Sequence, residues 1–154
     1  MNFKIVVVLF LLTSITACSD PKERNKTDDP QKDANIAKAM DCPNCKLKKI
    51  DLSGANLRKA NLKGADLTEA DLSGANLSSA NLKGADLTEA NLNSINLNQA
   101  NLEEADLSDA KLINASLMNA KLKGAKKIKT ANLFNANLCG AIMPTGIISV
   151  QGCI

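Results

Sequence analysis

The hydrophobic positions of this chain repeat every five residues over most of its length. A leucine occupies every fifth position from Leu47 to Leu122, and from Ala55 to Ala120 the residue two places before each leucine is alanine, with the exception of Ile95. A period of five matches neither the 3.6-residue period of an α-helix, nor the 2-residue period of a strand, nor the 3.5-residue period of a coiled coil. The pattern therefore predicts a different kind of coil.

A second period of twenty residues is superimposed on the first. Residues 60–70, ANLKGADLTEA, recur unchanged at residues 80–90. If each quintet forms one side of a four-sided turn, twenty residues return the chain to the same side one layer higher. Each leucine then points inward and each alanine fills a corner. The sequence thus predicts a stacked solenoid around a column of aliphatic side chains.

The repeating units ANLKG, ADLTE, ADLSG and ANLNS resemble those of the pentapeptide-repeat family. The resemblance covers about residues 45–145 and implies an all-β fold, a right-handed quadrilateral parallel β-helix of about five coils, roughly 24 Å long at a coil spacing of roughly 4.8 Å. We assign residues 42–145 to this β-helix and residues 146–154 to a C-terminal cap tail.

The five-residue register breaks once. Ala125–Thr130 spans six residues, after which the repeat resumes at Ala131. We interpret the extra residue as a bulge with Ile128 inside. The lysines of this segment are predicted to lie outside: Lys126, Lys127 and Lys129.

The N-terminus has the pattern of an export signal. Lys4 precedes the apolar run Ile5–Leu12, which is too short to span a membrane. Ile15–Cys18 resembles the lipobox of bacterial lipoproteins, which implies cleavage after residue 17 and an acylated Cys18 that binds membrane lipid. The alternative is an ordinary secretory signal with an incidental cysteine. Both predict export, and Ser19 resembles outer-membrane sorting where the organism has such a membrane.

Residues 18–41 are predicted to comprise the lipidated N-terminus, a flexible tether and a possible cap helix. Ser19–Asp33 is charged, contains proline and has almost no apolar residues. Such a segment cannot offset its ordering entropy by burial, so a flexible tether is expected. Pro30–Met40 could form a short cap helix with Asp29 as its N-cap.

Four cysteines remain besides Cys18. Cys42 and Cys45 fall at one end of the predicted rod, and Cys139 and Cys153 fall at the other. An exported setting favours disulfides, and the two ends are too far apart to be bridged. We therefore predict a disulfide within each pair. A redox pair or half a metal site remains an alternative for Cys42 and Cys45, but a structural clamp is favoured because the chain has no histidine and no second ligand pair nearby.

The outward residues repeat every twenty positions, so each side of the rod can be read from the sequence. Stacked carboxylates repel by roughly 1 kcal/mol per pair and could form a weak cation ladder, although charged sides that keep the rod soluble are the favoured interpretation. The side that comes just before the acidic side in the chain carries Lys63, Lys83 and Lys123, interrupted by Glu103 and Glu104, and its edge is expected to be positive. With the lysines of the bulge it could contact anionic lipid or polysaccharide, although a solvated bulge is favoured. The acids of the predicted ladder are Asp66, Asp86, Asp106, Glu69, Glu89 and Asp109.

One outward corner near the C-terminus is apolar. Ile113 is predicted to lie beneath Phe134, and Met118 beneath Cys139. The favoured cover is the tail, with Ile147, Ile148 and Val150 folded back onto the corner. The alternative is a partner site at Ile113, Met118 and Phe134, with Phe134 as its anchor.

Composition argues against catalysis. The chain has 154 residues, of which 2% are aromatic, and no histidine; its acids are predicted on a convex surface, whereas active sites need a concave pocket. We expect a non-enzymatic lipoprotein of the cell envelope without a cofactor or bound metal, which acts as an interaction or structural module toward an envelope protein or polymer. The alternatives are a thiol redox protein or a weak binder of cations or anionic polymers. DNA mimicry, known in some family members, needs a strongly acidic rod. The formal net charge here is +3, so neither mimicry nor a nucleic-acid partner is expected.

Overall fold

The computed structural model describes residues 41–153. The predicted signal peptide, Cys18, the tether and the possible helix at Pro30–Met40 lie outside the described residues. In the described part the chain winds as a solenoid, because parallel backbone bridges join residues twenty apart, from Asp41 and Asn61 onward. The turns of the solenoid are coil 1 (41–60), coil 2 (61–80), coil 3 (81–100), coil 4 (101–120) and coil 5 (121–141). Residues 142–153 follow and are called the tail from here on; they include the start of a further side 1, since Ile142 pairs in parallel with Lys121, and the predicted cap segment from residue 146.

Each coil has four sides, because a bridge residue recurs every five positions. The sides begin at these bridge residues: side 1 at 41, 61, 81, 101 and 121; side 2 at 46, 66, 86, 106 and 126; side 3 at 51, 71, 91, 111 and 132; side 4 at 56, 76, 96, 116 and 137.

A tight turn explains why the repeat has five residues. Within a quintet the bridge residue is followed by the inward leucine, two turn residues and the inward alanine. The alanine N–H donates to the leucine carbonyl, as Ala70 does to Leu67 at 3.0 Å. The second turn residue has a positive φ, for example +58° at Glu69 and +66° at Gly84. This is the geometry of a type II turn, which favours glycine at that position.

Main-chain hydrogen bonds between coils hold the turns in register. On side 2, Leu67 N–H donates to the Asp86 carbonyl at 2.8 Å, and Glu69 N–H donates to the Thr88 carbonyl at 2.9 Å. Because a turn interrupts every quintet, pairing never extends beyond a single bridge, and residues 41–153 contain neither a longer strand nor a helix. Within the coils, the β-structure implied by the family resemblance therefore consists of isolated parallel bridges.

The interior is the predicted aliphatic column. Every leucine of the repeat from Leu57 to Leu122 is at most 1% exposed, and Ile95 takes the place of alanine at 1% exposure. The inward assignment is thereby confirmed. Leu52, in coil 1, is only half-buried.

The bulge is also confirmed. The bridge partners change from twenty residues apart at Asp106 and Lys126 to twenty-one apart at Lys111 and Asn132. Ile128 is half-buried against the core, whereas the three lysines of the segment are exposed. The hydroxyl of Thr130 accepts the N–H of Asp109 at 3.1 Å, and so supplies the acceptor that a backbone carbonyl provides in the regular coils.

Candidate functional site

The first described turn is closed by a disulfide between Cys42 and Cys45. Cys42 occupies the leucine position of its quintet and Cys45 the alanine position, with their Cα atoms 5.5 Å apart. Both residues are half-buried and pack against the aliphatic core. The sulfurs thus lie at the start of the described part of the aliphatic column.

A second disulfide fixes the tail. It joins Cys153 to Cys139, a turn residue on side 4 of coil 5, and the two Cα atoms are 4.9 Å apart. The tail runs back along the last coil: Gly140 N–H donates to the Ser149 carbonyl at 2.9 Å, and Leu138 N–H donates to the Gln151 carbonyl at 3.1 Å. The tail backbone therefore accepts hydrogen bonds that a further coil would otherwise accept.

The tail side chains do not cover the apolar corner, so that part of the expectation is wrong. Ile147, Ile148 and Val150 are 69%, 65% and 80% exposed, and Phe134 is 74% exposed. The reason is the direction of pairing. The tail pairs antiparallel at Ile148 with Ile142 and hydrogen-bonds to sides 4 and 1, whereas Phe134 lies on side 3.

The predicted corner therefore stays open to solvent. Ile113 is half-buried, Met118 is 37% exposed and Phe134 projects from the turn above Ile113. The backbone places Phe134 as predicted, because Asn114 N–H donates to the Phe134 carbonyl at 3.0 Å. The three residues form an exposed apolar surface, and whether a partner contacts it stays a prediction.

The aspartates of the predicted cation ladder stabilise their own turns. Asp66 accepts the N–H of Thr68 at 3.1 Å, and Asp86 and Asp106 make the corresponding bonds to Thr88 and Ser108 at 3.0 Å each. The hydrogen bond from the Thr68 hydroxyl, followed by that from the Thr68 N–H, lowers the pKa of Asp66. The Ser108 hydroxyl is the largest cause of the lowered pKa of Asp106.

The three other acids of the ladder occupy turn positions with positive φ. Glu69 is bonded to the ammonium groups of Lys48 and Lys49, at 3.5 and 3.1 Å, while Glu89 and Asp109 are exposed. Nowhere in residues 41–153 do three or more aspartate, glutamate or cysteine side chains form a group that could hold a metal ion. The acidic side thus supplies charged turns and no assembled cation site.

The lysine side is interrupted by acids, as its sequence indicates. Lys83 lies 3.6 Å from Glu103 and 3.1 Å from Glu104, one coil above. Glu104 is the largest cause of the raised pKa of Lys83. Lys63 and Lys123 on the same side are exposed. Side 1 therefore carries a lysine in each of coils 2 and 3, two glutamates in coil 4 and lysines again in coil 5, so its charge is mixed and not uniformly positive.

The charge of the rod changes sign along its length. Residues 41–120 contain eight basic and eleven acidic residues, a formal net charge of −3, whereas residues 121–153 contain five lysines and neither aspartate nor glutamate. The ion pairs found among the described residues involve Lys48, Lys49 and Lys83 and none of those five lysines. This asymmetry follows the rod axis, so charges grouped by the sides of the rod do not show it. A count of charges in each coil would have predicted it from the sequence.

The architecture defines a repeat solenoid, and comparison with known families identifies which one. The family model for pentapeptide repeats matches eight copies, over residues 45–84 and 85–124. The chain belongs to the pentapeptide-repeat family. No curated protein matches it. The described residues also contain no helix long and apolar enough to cross a bilayer.

Several solved structures are similar to this chain. The pentapeptide repeat protein Rfr23 from the cyanobacterium Cyanothece 51142 is 32% identical over 65% of this chain and 84% of its own, with a TM-score of 0.48. HetL from the cyanobacterium Nostoc sp. strain PCC 7120, involved in heterocyst differentiation regulation, is 30% identical over 70% of this chain and 62% of its own, with a TM-score of 0.37. A protein from the Arabidopsis thaliana thylakoid lumen is 33% identical over 62% of this chain and 66% of its own, with a TM-score of 0.35.

Proposed function

We propose that this chain is a non-enzymatic lipoprotein of the bacterial cell envelope, anchored through an acylated Cys18, whose solenoid serves as an interaction or structural module. The repeat module follows from family membership. The anchor is supported by the resemblance of Ile15–Cys18 to a lipobox. Where the organism has an outer membrane, Ser19 supports anchorage there.

The observation that carries the non-enzymatic proposal is the filled interior. Leucine side chains from Leu57 to Leu122 are at most 1% exposed, and a close-packed column of this kind has no room for a substrate. Among the described residues, Ser108 is the only buried polar side chain, and several of the others accept hydrogen bonds within their own turns. Such a surface suits contacts with another macromolecule better than the enclosure of a small substrate.

We extend the proposal to the fold: the solenoid is the right-handed quadrilateral parallel β-helix of its family. The support is the set of four bridge columns, each parallel and each continued from coil to coil. The turn at the end of each quintet accounts for the four corners.

Three other functions have no support among the described residues: thiol redox chemistry, cation binding and DNA mimicry. Cys42 and Cys45 are half-buried against the core rather than fully exposed, whereas thiol exchange depends on the access of the attacking thiolate. The acidic ladder lacks an assembled cation site in residues 41–153. The net charge of −3 over residues 41–120 is small for DNA mimicry.

Metabolic labelling with an alkyne fatty acid tests the anchor. We expect the label to be incorporated into the wild-type chain and the protein to sediment with membranes, and we expect Cys18→Ser to lose the label. The matched control Cys153→Ser should keep it. Label retained in Cys18→Ser, or absent from the wild type, would contradict the proposed lipoprotein.

Thiol reactivity tests the redox alternative separately. In the native protein under mild reducing conditions, a structural clamp predicts that Cys42 and Cys45 resist alkylation until the fold is denatured. Rapid alkylation of the folded protein at either cysteine would favour redox chemistry instead.

A further inference from the structure

The distal tip of the rod, defined as coil 5 and the tail (residues 121–153), carries a net positive charge, although Asp106 in coil 4 lies close enough for the charges of Lys127 and Lys126 to contribute to its lowered pKa. Its five lysines are exposed, and no acidic residue lies within the tip. Two lysines project from side 1 and three from the adjacent side 2, so the charge is concentrated on neighbouring sides. The lysines are Lys121, Lys123, Lys126, Lys127 and Lys129.

The same tip exposes four large apolar side chains. Phe134 is 74% exposed, and the tail residues Ile147, Ile148 and Val150 are 65% to 80% exposed. The backbone that carries the three tail residues is fixed by hydrogen bonds and a disulfide. Ile148 is paired with Ile142, and the neighbouring Ser149 carbonyl accepts the Gly140 N–H at 2.9 Å. The disulfide to Cys139 fixes the end of the tail. The apolar groups are thus presented outward by a hydrogen-bonded and cross-linked element.

From this combination we propose that the distal tip binds the surface of an anionic lipid bilayer, with the lysines on the headgroups and Phe134 and the tail aliphatics in the interfacial region. This contact goes beyond the proposed acyl anchor, because it lies at the opposite end of the chain and needs no acylation. Binding to a bilayer interface strengthens with the buried apolar area and with electrostatic attraction to anionic lipids, and the tip offers both kinds of group.

The chemistry of the tip favours a bilayer over other occupants. An anionic polysaccharide would match the lysines but offers no apolar phase for Phe134 and Val150. A second copy joined tip to tip would bring five lysines against five lysines, which repel. The net charge of −3 on residues 41–120 is also repelled by an anionic surface, so the rod should approach the bilayer with its distal tip foremost.

Vesicle sedimentation tests the proposal without the anchor. The protein is the chain from residue 18 with Cys18→Ser, which retains every described residue, and the vesicles contain phosphatidylglycerol and phosphatidylcholine in equal parts, or phosphatidylcholine alone. We expect binding to the anionic vesicles and little to the neutral ones. Binding should fall steeply between 0.1 and 1 M salt, where the screening length shortens from about 10 to about 3 Å.

Two triple variants with equal charge change locate the contact. Lys123→Ala, Lys126→Ala and Lys129→Ala together should weaken binding by roughly a hundredfold, since each lysine near an anionic surface contributes about fivefold. The matched control neutralises three exposed lysines of the first coils, Lys46, Lys59 and Lys63. It should change binding by less than about threefold, because these side chains lie at least three coils below coil 5 and therefore farther from the bilayer than the screening length of roughly 10 Å.

The apolar contribution is measured with Phe134→Ser, which we expect to weaken binding at least tenfold while leaving the circular dichroism spectrum unchanged. Equal loss in the two triple variants, or equal binding to neutral vesicles, would overturn the proposal. So would a concentration-dependent dimer that Phe134→Ser abolishes without any vesicle binding, which would assign the surface to a second copy. Binding to a soluble anionic polysaccharide but not to vesicles would overturn it as well. Since the protein lacks the acylation site, failure here is distinct from failure of the proposed anchor.

Discussion

Replacement of a leucine of the aliphatic column by alanine should destabilise the protein far less at the end of the column than in its middle. Leu87 lies in coil 3 at 1% exposure, between Leu67 below and Leu107 above. The coils on both sides are fixed by main-chain bonds, such as that from Leu87 N–H to the Asp106 carbonyl at 2.8 Å, so they cannot collapse into a cavity. Replacement of a buried leucine by alanine costs about 2.7–5 kcal/mol, and the upper end applies where collapse is prevented.

We therefore expect Leu87→Ala to lower the free energy of unfolding by about 4 kcal/mol. For a repeat domain of this size that corresponds to a melting point lower by roughly 15 °C. Leu52→Ala makes the same chemical change at a half-buried position in coil 1, which has a described neighbour on one side only. It should cost about half as much, and Leu87→Asp, which buries a charge without a partner, should abolish cooperative unfolding.

Urea unfolding followed by far-ultraviolet circular dichroism is the appropriate assay, because the chain has no tryptophan or tyrosine to report by fluorescence. The slope of the transition should be checked first, since a long repeat array can lose cooperativity. If Leu52→Ala destabilises the protein as much as Leu87→Ala, the reasoning from stacked layers is refuted.

Three further predictions concern the tail, the acidic turns and the backbone. Cys153→Ser should release the tail and lower the free energy of unfolding by up to about 3 kcal/mol for a loop of this length. The release should be seen as faster hydrogen exchange at residues 142–153. Unchanged exchange there would show that the disulfide does not fix the tail. Thr68→Val should raise the pKa of Asp66 toward its ordinary value of 3.8, measured by carboxylate NMR titration. Because the pKa of Asp66 is lower in the folded state, the ionised carboxylate stabilises the fold above pH 3.8, and this stabilisation is lost as the pH falls through the lowered pKa. Thr68→Val removes part of that stabilisation, so acid unfolding of the variant should begin at a higher pH than in the wild type. An unchanged acid midpoint would argue against this reasoning. Ser79→Gly should raise stability by about 0.5–1 kcal/mol in thermal unfolding, because Ser79 has a φ of +60°, a region that glycine adopts without strain; a lower melting point would contradict this.

The interior could be predicted from sequence because a strict period leaves few alternatives. A leucine that recurs every five residues can face the interior throughout if each quintet forms one side of a coil, and the twenty-residue duplication indicates that four quintets close each coil. The bulge near Ile128 followed from the same rule, as the one place where the count fails. Each of these predictions depends on spacing alone.

The outer surface and the tail could not be derived in this way. The positive φ at each turn was not predicted, because glycine marks it at positions such as Gly64 and Gly84 but Lys59 and Glu69 adopt it elsewhere. The path of the tail depends on which backbone groups remain unpaired after coil 5. A cover of the apolar corner by Ile148 was expected on hydrophobicity, but hydrogen bonding to the edge of the coil decided its direction.

The departures from the repeat suggest where function resides. In coils 2 to 4 each quintet must keep leucine and a small residue inward and accept a turn, so most of its sequence is determined by stacking. Coil 5 and the tail depart from the sequence that stacking requires. They contain the bulge, lysines without acids, an exposed phenylalanine and a disulfide. The bulge adds one outward residue to side 2 and shifts every later bridge by one position. A solenoid that needed only to stack and end could do so with polar residues, so exposed apolar and basic residues on a cross-linked tip are better explained by contact with a partner surface than by stability.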